Sequence, residues 1–168
     1  MIAYMLGRLP ACISGALGLL IAMMAGVPPS HAQSPLTPSE TLPHERTLLA
    51  ESFASARLMV WQKRLNLQGW GISVVVSRAD GLRPKTAGNV HWDPKKKTAV
   101  IRVLDPADYR LPLAAVLRDI EFTVVHELVH LEMAPVLGEL QRTDANRVEE
   151  EHAVNHMTEA LLKLDRGR

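Results

Sequence analysis

Apolar positions recur along the chain with two spacings, one typical of helices and one of strands. Between His44 and Leu67 they lie three, four and seven residues apart, as on one face of a helix. Gln68 and Gly69 follow, and a glycine at this point favours a helix end. The buried face of the helix is predicted to consist of Leu49, Phe53, Ala56, Val60 and Leu67.

Three segments of strand character follow this helix. Trp70–Ser77 is a β-branched run, and Val90–Asp93 and Thr98–Leu104 are two further strand candidates. The intervening Arg78–Gly88 contains glycine and proline, which predict a loop. Pro94–Lys97 joins the last two strands as a hairpin turn, and we interpret its three lysines as solvated instead of as a basic binding patch.

Two helices complete the pattern. Pro112–Ala134 begins with a proline that the first turn tolerates, and Pro135 is predicted to end it because the residue before a proline avoids helical conformation. Thr143 is the predicted N-cap of a last helix that reaches Asp165. This order of elements predicts an α+β domain with a small three-stranded sheet, antiparallel or mixed. The apolar face of the last helix is predicted to be Val148, Val154, Met157 and Leu161.

The N-terminal segment lies outside this pattern. Arg8 precedes an uncharged, mostly apolar run of 17 residues, Ala11–Val27, and Ser30-His31-Ala32 offers small residues where a signal peptidase cleaves. Residues 1–32 therefore predict a signal peptide, 33–43 a flexible lead-in, and 44–168 the folded domain. The alternative is a retained N-terminal membrane anchor, since 17 residues are near the lower limit for a span. Either way the domain is exported, to the periplasm or outside the cell.

Composition narrows the class of function. The 168 residues fit one domain, and 19 basic against 18 acidic side chains give a net charge of +1. This balance gives no reason to expect nucleic acid as a partner, or a membrane after signal cleavage. Cys12, the only cysteine, lies in the predicted signal, so the mature chain would contain no disulfide.

The segment His126-Glu127-Leu128-Val129-His130 carries the candidate chemistry. Two histidines four residues apart in a helix share one face and can bind one Zn²⁺. Glu127, beside the first histidine, can accept a proton from the metal's water as a general base. The surrounding sequence is strongly apolar, and buried imidazoles and a carboxylate need partners there. The alternative is an exposed polar stripe on an amphipathic helix.

This motif and its surroundings resemble the gluzincins, in which a glutamate on a downstream helix completes a His-His-Glu zinc site. The resemblance covers about residues 70–162 and also rests on the strand, hairpin and helix order before the motif. Met133 and Val136 stand where a metzincin has glycine and histidine, which excludes that class. The resemblance implies a zincin-like fold, with the small sheet packed against the active-site helix and two further helices.

The resemblance implies two positions for the third ligand. Thermolysin-like members place it twenty residues after the second histidine, at Glu150. Other gluzincins have the pattern Glu-x-x-x-Asp/Asn, here Glu151 to Asn155, in which the asparagine orients an imidazole. We prefer Glu151, because helix geometry fixes this one-turn relation whereas loop length changes the other spacing. Further candidates in this part of the chain are Asp144, Glu149 and His152.

The substrate cleft is predicted to lie beside the strand that precedes the active-site helix, Thr98–Leu104. A peptide could add to the edge of this strand through main-chain hydrogen bonds. Tyr109 and His91 are candidate donors to an oxyanion, although a structural role is expected for each. Three tryptophans are expected in the core or at the rim of the cleft: Trp61, Trp70 and Trp92.

Together these features predict an exported zinc metallopeptidase, with a peptide or protein as substrate and one Zn²⁺ per chain. Other divalent ions would also fit such a ligand set. The alternatives are a zinc-stabilised, non-catalytic binding module of the cell envelope and a structural envelope protein in which the motif is coincidental. The sequence leaves the oligomeric state open.

Overall fold

Three helices and a three-stranded sheet make up the described part of the chain, residues 43–137 and 143–167 of a computed structural model. All of these residues belong to one compact unit. The predicted α+β class with a small three-stranded sheet is confirmed. The elements are α1 (Pro43–Arg64), β1 (Gly71–Ser77), β2 (Gly88–Asp93), β3 (Thr98–Leu104), α2 (Leu113–Leu137) and α3 (Asp144–Arg166).

The predictions for the N-terminal segment fall outside this part. The proposed signal peptide, residues 1–32, is not among the described residues, and of the proposed lead-in only Pro43 is, as the first residue of α1. No helix within 43–137 or 143–167 combines the length and the apolar character needed to cross a membrane.

The sheet is mixed, and β3 lies at its centre between β1 and β2. Ile101 of β3 lies beside Val74 of the parallel β1 and beside Val90 of the antiparallel β2. The prediction that a peptide adds to the edge of Thr98–Leu104 is therefore wrong, because both sides of this strand are already paired. The open edges of the sheet belong to β1 and β2.

The buried face of α1 is rotated by about one residue from the predicted one. Leu49 is 47% exposed and Ala56 is also exposed, whereas Phe53 packs partly buried against the core. The true face has helical spacing as well, and its two alanines allow α1 to lie close to α2 because their side chains are small. The buried residues of α1 are Ala50, Ala54, Leu58 and Trp61.

α1 ends at Arg64, three residues before the predicted end at Leu67. Asn66 has a φ of 59°, and asparagine adopts this left-handed conformation more readily than most residues. A left-handed residue just after the last turn ends a helix. Leu67 then turns back into the core, and its N–H donates to the carbonyl of Gln62 at 2.8 Å.

α2 continues through Pro135 to Leu137, so the prediction that this proline ends the helix is wrong. A proline disfavours helical conformation before it without excluding it, and in the last turn it removes little from the hydrogen-bond ladder. At the other end the helix begins at Leu113, one residue after the predicted start. The carbonyl of Pro112 accepts from the N–H groups of Ala115 and Val116.

α3 has the predicted cap, and its buried face is the predicted one only in part. The Oγ1 atom of Thr143 accepts a hydrogen bond from the N–H of Asn146 at 3.1 Å, which confirms the N-cap. Val154 is buried and Leu161 packs partly buried against the core, as predicted, whereas Val148 is 52% exposed and Met157 is 37% exposed, contrary to the prediction. The buried residues of α3 lie four positions apart. One of them is a threonine, which a search for apolar residues leaves out. These buried residues are Val154, Thr158 and Leu162.

Gly88 allows β2 to lie directly against α2. A β-carbon at this position would overlap Cγ2 of Thr123 and would lie 2.5 Å from the carbonyl oxygen of Arg102. The threonine is not free to rotate away, because its Oγ1 donates to the carbonyl of Asp119 at 2.9 Å. Gly88 therefore sets the distance between the edge strand and the helix that carries the histidine motif.

Gly88→Ala is expected to lower the free energy of unfolding by about 1–3 kcal/mol, the usual cost of overpacking. Urea denaturation followed by circular dichroism measures the change. Gly69→Ala is the control, because a β-carbon there meets nothing within 4 Å. The control should change stability by less than about 0.5 kcal/mol. Equal stability of the two variants would contradict the close approach of β2 to α2.

The buried carboxylate of Glu121 joins the three helices. It accepts a hydrogen bond from Nε1 of Trp61 at 3.3 Å and forms an ion pair with Arg57, both on α1. Arg166, at the end of α3, lies 3.8 Å from its other oxygen. Asp165 extends the network, since its carboxylate also pairs with Arg57 at 3.2 Å.

Glu121→Gln is expected to lower the free energy of unfolding by about 1.5–3 kcal/mol, the range for a hydrogen bond to a charged group. The substitution keeps the shape of the side chain and leaves Arg57 without one of its two carboxylate partners. Thermal or urea denaturation tests this, with the exposed Glu51→Gln on α1 as a control that removes one negative charge elsewhere. A loss no larger than that of the control would show that the network contributes nothing measurable.

Candidate metal centre

The middle of α2 presents the three motif side chains on the side that faces α3 and β2. Glu127 and His130 are 7% and 9% exposed, and the apolar residues around them are fully or nearly fully buried. The rings of His126 and His130 lie one helical turn apart, with centroids 4.7 Å apart and planes at 72°. Their Nε2 atoms are 3.1 Å from each other.

Glu151 on α3 completes a group of three ligand atoms. Its carboxylate oxygens lie 3.3 Å from Nε2 of His126 and 3.5 Å from Nε2 of His130. One ligand atom from each of the three residues lies within 4.8 Å of the others, so the group could hold a metal ion. This is the combination that the sequence favoured, with Glu151 as the third member.

The spacing of these atoms suits a tetrahedral cation. Two nitrogens that are each about 2.0–2.1 Å from one zinc ion lie about 3.3 Å apart in tetrahedral geometry. The two Nε2 atoms, at 3.1 Å, and the contact from His126 to Glu151, at 3.3 Å, are close to that value. Two imidazole nitrogens that face each other at this distance also repel unless a proton or a cation lies between them.

Glu150 contacts the opposite nitrogen of His130. Its Oε1 lies 3.0 Å from Nδ1 of that ring, and its side chain is 13% exposed. A carboxylate accepts, so Nδ1 donates to Glu150, and Nε2, on the side of Glu151, is the ring atom that would bind a cation. The predicted alternative ligand thus orients a histidine in this structure, a role that the sequence did not indicate for it.

Asn155 lies one turn after Glu151 and lines the same cleft. Burial and the neighbouring His130 lower the pKa of His126, and Glu151 and a hydrogen-bond interaction from Asn155 oppose this shift. Nδ1 of His126 is buried and has no hydrogen-bond partner among the described residues. That Asn155 fixes the tautomer of His126 stays a prediction, since the interaction does not satisfy Nδ1.

Glu127 lies in the cleft beside the two histidines. Burial raises the pKa of its carboxyl to about 8, and the negative charge of Glu151 acts in the same direction. Arg83 and the backbone N–H of Val90 on β2 act against this shift. A cation held by the histidines would likewise favour the ionised carboxylate. Such a group is placed to accept or return a proton within the cleft.

The cleft around these residues has a volume of about 420 Å³. α2 forms its floor, α3 forms one wall, and β2 with the loop before it forms the other. Trp92 and Val90 of β2 both line it, so the strand beside the site is β2 and not the predicted Thr98–Leu104. The open edge of β2 therefore borders the candidate metal centre.

Several predicted residues are not brought to this cleft. His91, Asp144, Glu149 and His152 are exposed and do not line it. Tyr109 packs against the core, and its hydroxyl donates to Asp119, so this phenol is already engaged. Of the tryptophans, Trp61 is buried, Trp70 packs partly buried against the core and Trp92 lies at the rim, as expected.

Three basic residues that the sequence analysis did not single out line the cleft. Arg83 and Lys85 come from the loop before β2, and Arg147 comes from the first turns of α3. No periodic pattern marks them, because two lie in an irregular loop and the third depends on how α3 packs against α2.

The fold and the site define an α+β domain with a group of two histidines and a glutamate able to hold a metal ion. No protein-family model matches the sequence, and no curated protein or solved structure is significantly similar to it. The functional interpretation therefore depends on the residues of this site alone.

Proposed function

We propose that the protein is an exported zinc-dependent metallopeptidase of gluzincin type. The observation that carries the proposal is the position of Glu127, a buried carboxylate in the same cleft as the His126, His130 and Glu151 group. A site that only stabilises the fold needs ligands but no such base. Two histidines and one carboxylate, with room left for a water molecule, are the usual ligand set of a catalytic zinc.

The chain's own residues provide the remaining parts of a hydrolysis. When bound, the cation would polarise a substrate carbonyl and acidify a water molecule. Glu127 accepts a proton from that water as its oxygen attacks the carbonyl carbon, and then donates the proton to the amine nitrogen as the C–N bond breaks. Glu150 holds the ring of His130 in place through Nδ1 during both steps.

The open edge of β2 suits an extended peptide as substrate. The strand borders the cleft, and its backbone groups on the side away from β3 are not used by the sheet, although the N–H of Val90 donates to the Glu127 carboxylate. An extended peptide can pair with such an edge through main-chain hydrogen bonds, whatever its side chains are. This arrangement would bring a peptide carbonyl alongside Glu127 and the two histidines.

Removal of the metal is expected to abolish peptide hydrolysis and its return to restore it. Purified protein is treated with a chelator, dialysed, and assayed on a peptide library before and after one equivalent of zinc is added. Restoration by zinc with an unchanged circular dichroism spectrum supports the proposal. Undiminished cleavage by metal-free protein would contradict it.

A further inference from the structure

Positive charge flanks the candidate metal centre on two facing walls of the cleft. Arg83 and Lys85 lie on the loop that leads into β2, and Arg147 lies on α3 across from them. All three side chains are exposed and line the same cleft as His126. A substrate that lies along β2 would pass between them.

These cations form no ion pair with the carboxylates of the cleft, although the positive charge of Arg83 acts on Glu127. Four carboxylates also line the cleft: Asp119, Glu127, Glu150 and Glu151. The Tyr109 hydroxyl donates to Asp119, the two histidines contact Glu150 and Glu151, and the backbone N–H of Val90 donates to Glu127. Within residues 43–137 and 143–167, by contrast, no carboxylate forms an ion pair with Arg83, Lys85 or Arg147. These three side chains are therefore available to pair with an anionic group of a ligand.

Lys85 has an unusual backbone conformation for its type. Its φ is 64°, in the left-handed region that glycine and asparagine prefer. It occupies the third position of a turn in which the N–H of Thr86 donates to the carbonyl of Arg83 at 3.2 Å, with Pro84 second. A glycine would suit this turn better, so local structure gives no reason for a lysine. Lys97 has the same conformation, with a φ of 50°, in the exposed hairpin turn, so the inference depends on the position of Lys85 in the cleft beside Arg83 and across from Arg147.

We propose that the cleft selects substrates with a carboxylate, which Lys85 and Arg83 bind from one wall and Arg147 from the other. The proposal rests on the metallopeptidase function and adds a substrate class to it. The carboxylate can be an acidic side chain near the scissile bond or the C-terminus of the peptide, because the three cations would recognise either in the same way.

The test compares peptides that differ only in this group. Cleavage is measured for pairs with Glu or Gln at each position near the scissile bond, and for pairs with a free or an amidated C-terminus. Wild-type protein is expected to favour the acidic member of one pair by about tenfold in kcat/KM, mainly through KM. The side-chain pairs and the C-terminal pair distinguish the two sources of carboxylate.

Substitutions at position 85 separate charge from structure. Lys85→Asn suits the left-handed conformation and removes the charge, so the preference should fall to about twofold or less while the melting temperature stays at or above that of wild type. Lys85→Arg should keep the preference. Lys95→Gln removes a lysine from the exposed hairpin turn outside the cleft and should leave the preference unchanged.

The outcomes distinguish this inference from the function on which it rests. Cleavage with no preference for any acidic member would overturn the carboxylate site and leave the peptidase intact. If no peptide is cleaved, binding of the same pairs to zinc-loaded Glu127→Gln is followed by tryptophan fluorescence, to which Trp92 in the cleft contributes. If the acidic member binds more tightly and Lys85→Asn abolishes this preference, the result would support the carboxylate site without proteolysis. Equal binding of both members would overturn it.

Discussion

Glu127→Gln is expected to reduce peptide hydrolysis by about 10²–10⁴-fold, the range for loss of a general acid–base group. The amide has nearly the same shape as the carboxylate but cannot accept a proton from water. Because Glu127 is not among the three residues whose atoms form the metal group, the variant should bind zinc as wild type does. Activity on a peptide library and zinc content, measured on the same preparation, test both parts.

Glu132→Gln is the matched control for this prediction. Glu132 lies on the same helix, is exposed and does not line the cleft, so its loss should leave hydrolysis within about twofold of wild type. A Glu127→Gln variant that cleaves peptides as fast as this control would show that Glu127 is not the base. Loss of zinc from Glu127→Gln would instead give this residue a role in the metal centre.

The second large effect is expected on zinc affinity, when the consecutive residues Glu149, Glu150 and Glu151 are replaced one at a time. Loss of a residue that only orients a metal ligand typically weakens binding by about 10–100-fold. Glu151→Gln removes a member of the metal group itself and should weaken zinc binding by more than this. Glu150→Gln should fall within that range, because Glu150 contacts Nδ1 of His130 and not the metal position. Competition with a chelating dye measures the zinc affinity of each variant.

Glu149→Gln provides the internal control of this series. Glu149 is exposed and does not line the cleft, so zinc affinity should stay within about twofold of wild type. A larger loss in Glu150→Gln than in Glu151→Gln would reverse the roles that the geometry gives to the two residues. The thermolysin-like spacing of twenty residues would then be the correct guide.

The parts of the fold that depend on local patterns could be predicted from the sequence. All three strands and the Thr143 cap follow from residue types within a few positions of each other. The buried face of α1 could not be predicted. Leu49 and Ala50 each begin a row of residues with regular helical spacing, and the packing against α2 decides which row is buried. The central position of β3 could not be predicted either, since strand order depends on how the loop before β2 crosses the sheet.

The same distinction applies to the site. His126, Glu127 and His130 are brought together by the geometry of a single helix, so their spacing was sufficient to predict their proximity. The contacts of Glu150 and Glu151 depend on the rotation of α3 about its axis, which the one-turn relation to Asn155 indicated only for Glu151. Lys85 gave no signal, because a Pro-Lys pair does not indicate a left-handed residue.

The central claim is that His126, His130 and Glu151 hold one metal ion, and the most direct test is the metal content of the purified protein. Inductively coupled plasma mass spectrometry is applied to wild type, His126→Ala and Glu127→Gln, each shown to be folded by circular dichroism. About one zinc per chain in wild type and Glu127→Gln, with none in His126→Ala, is the predicted result. Folded wild-type protein without stoichiometric metal, even after incubation with zinc, would contradict the claim and leave the motif without a metal-binding role.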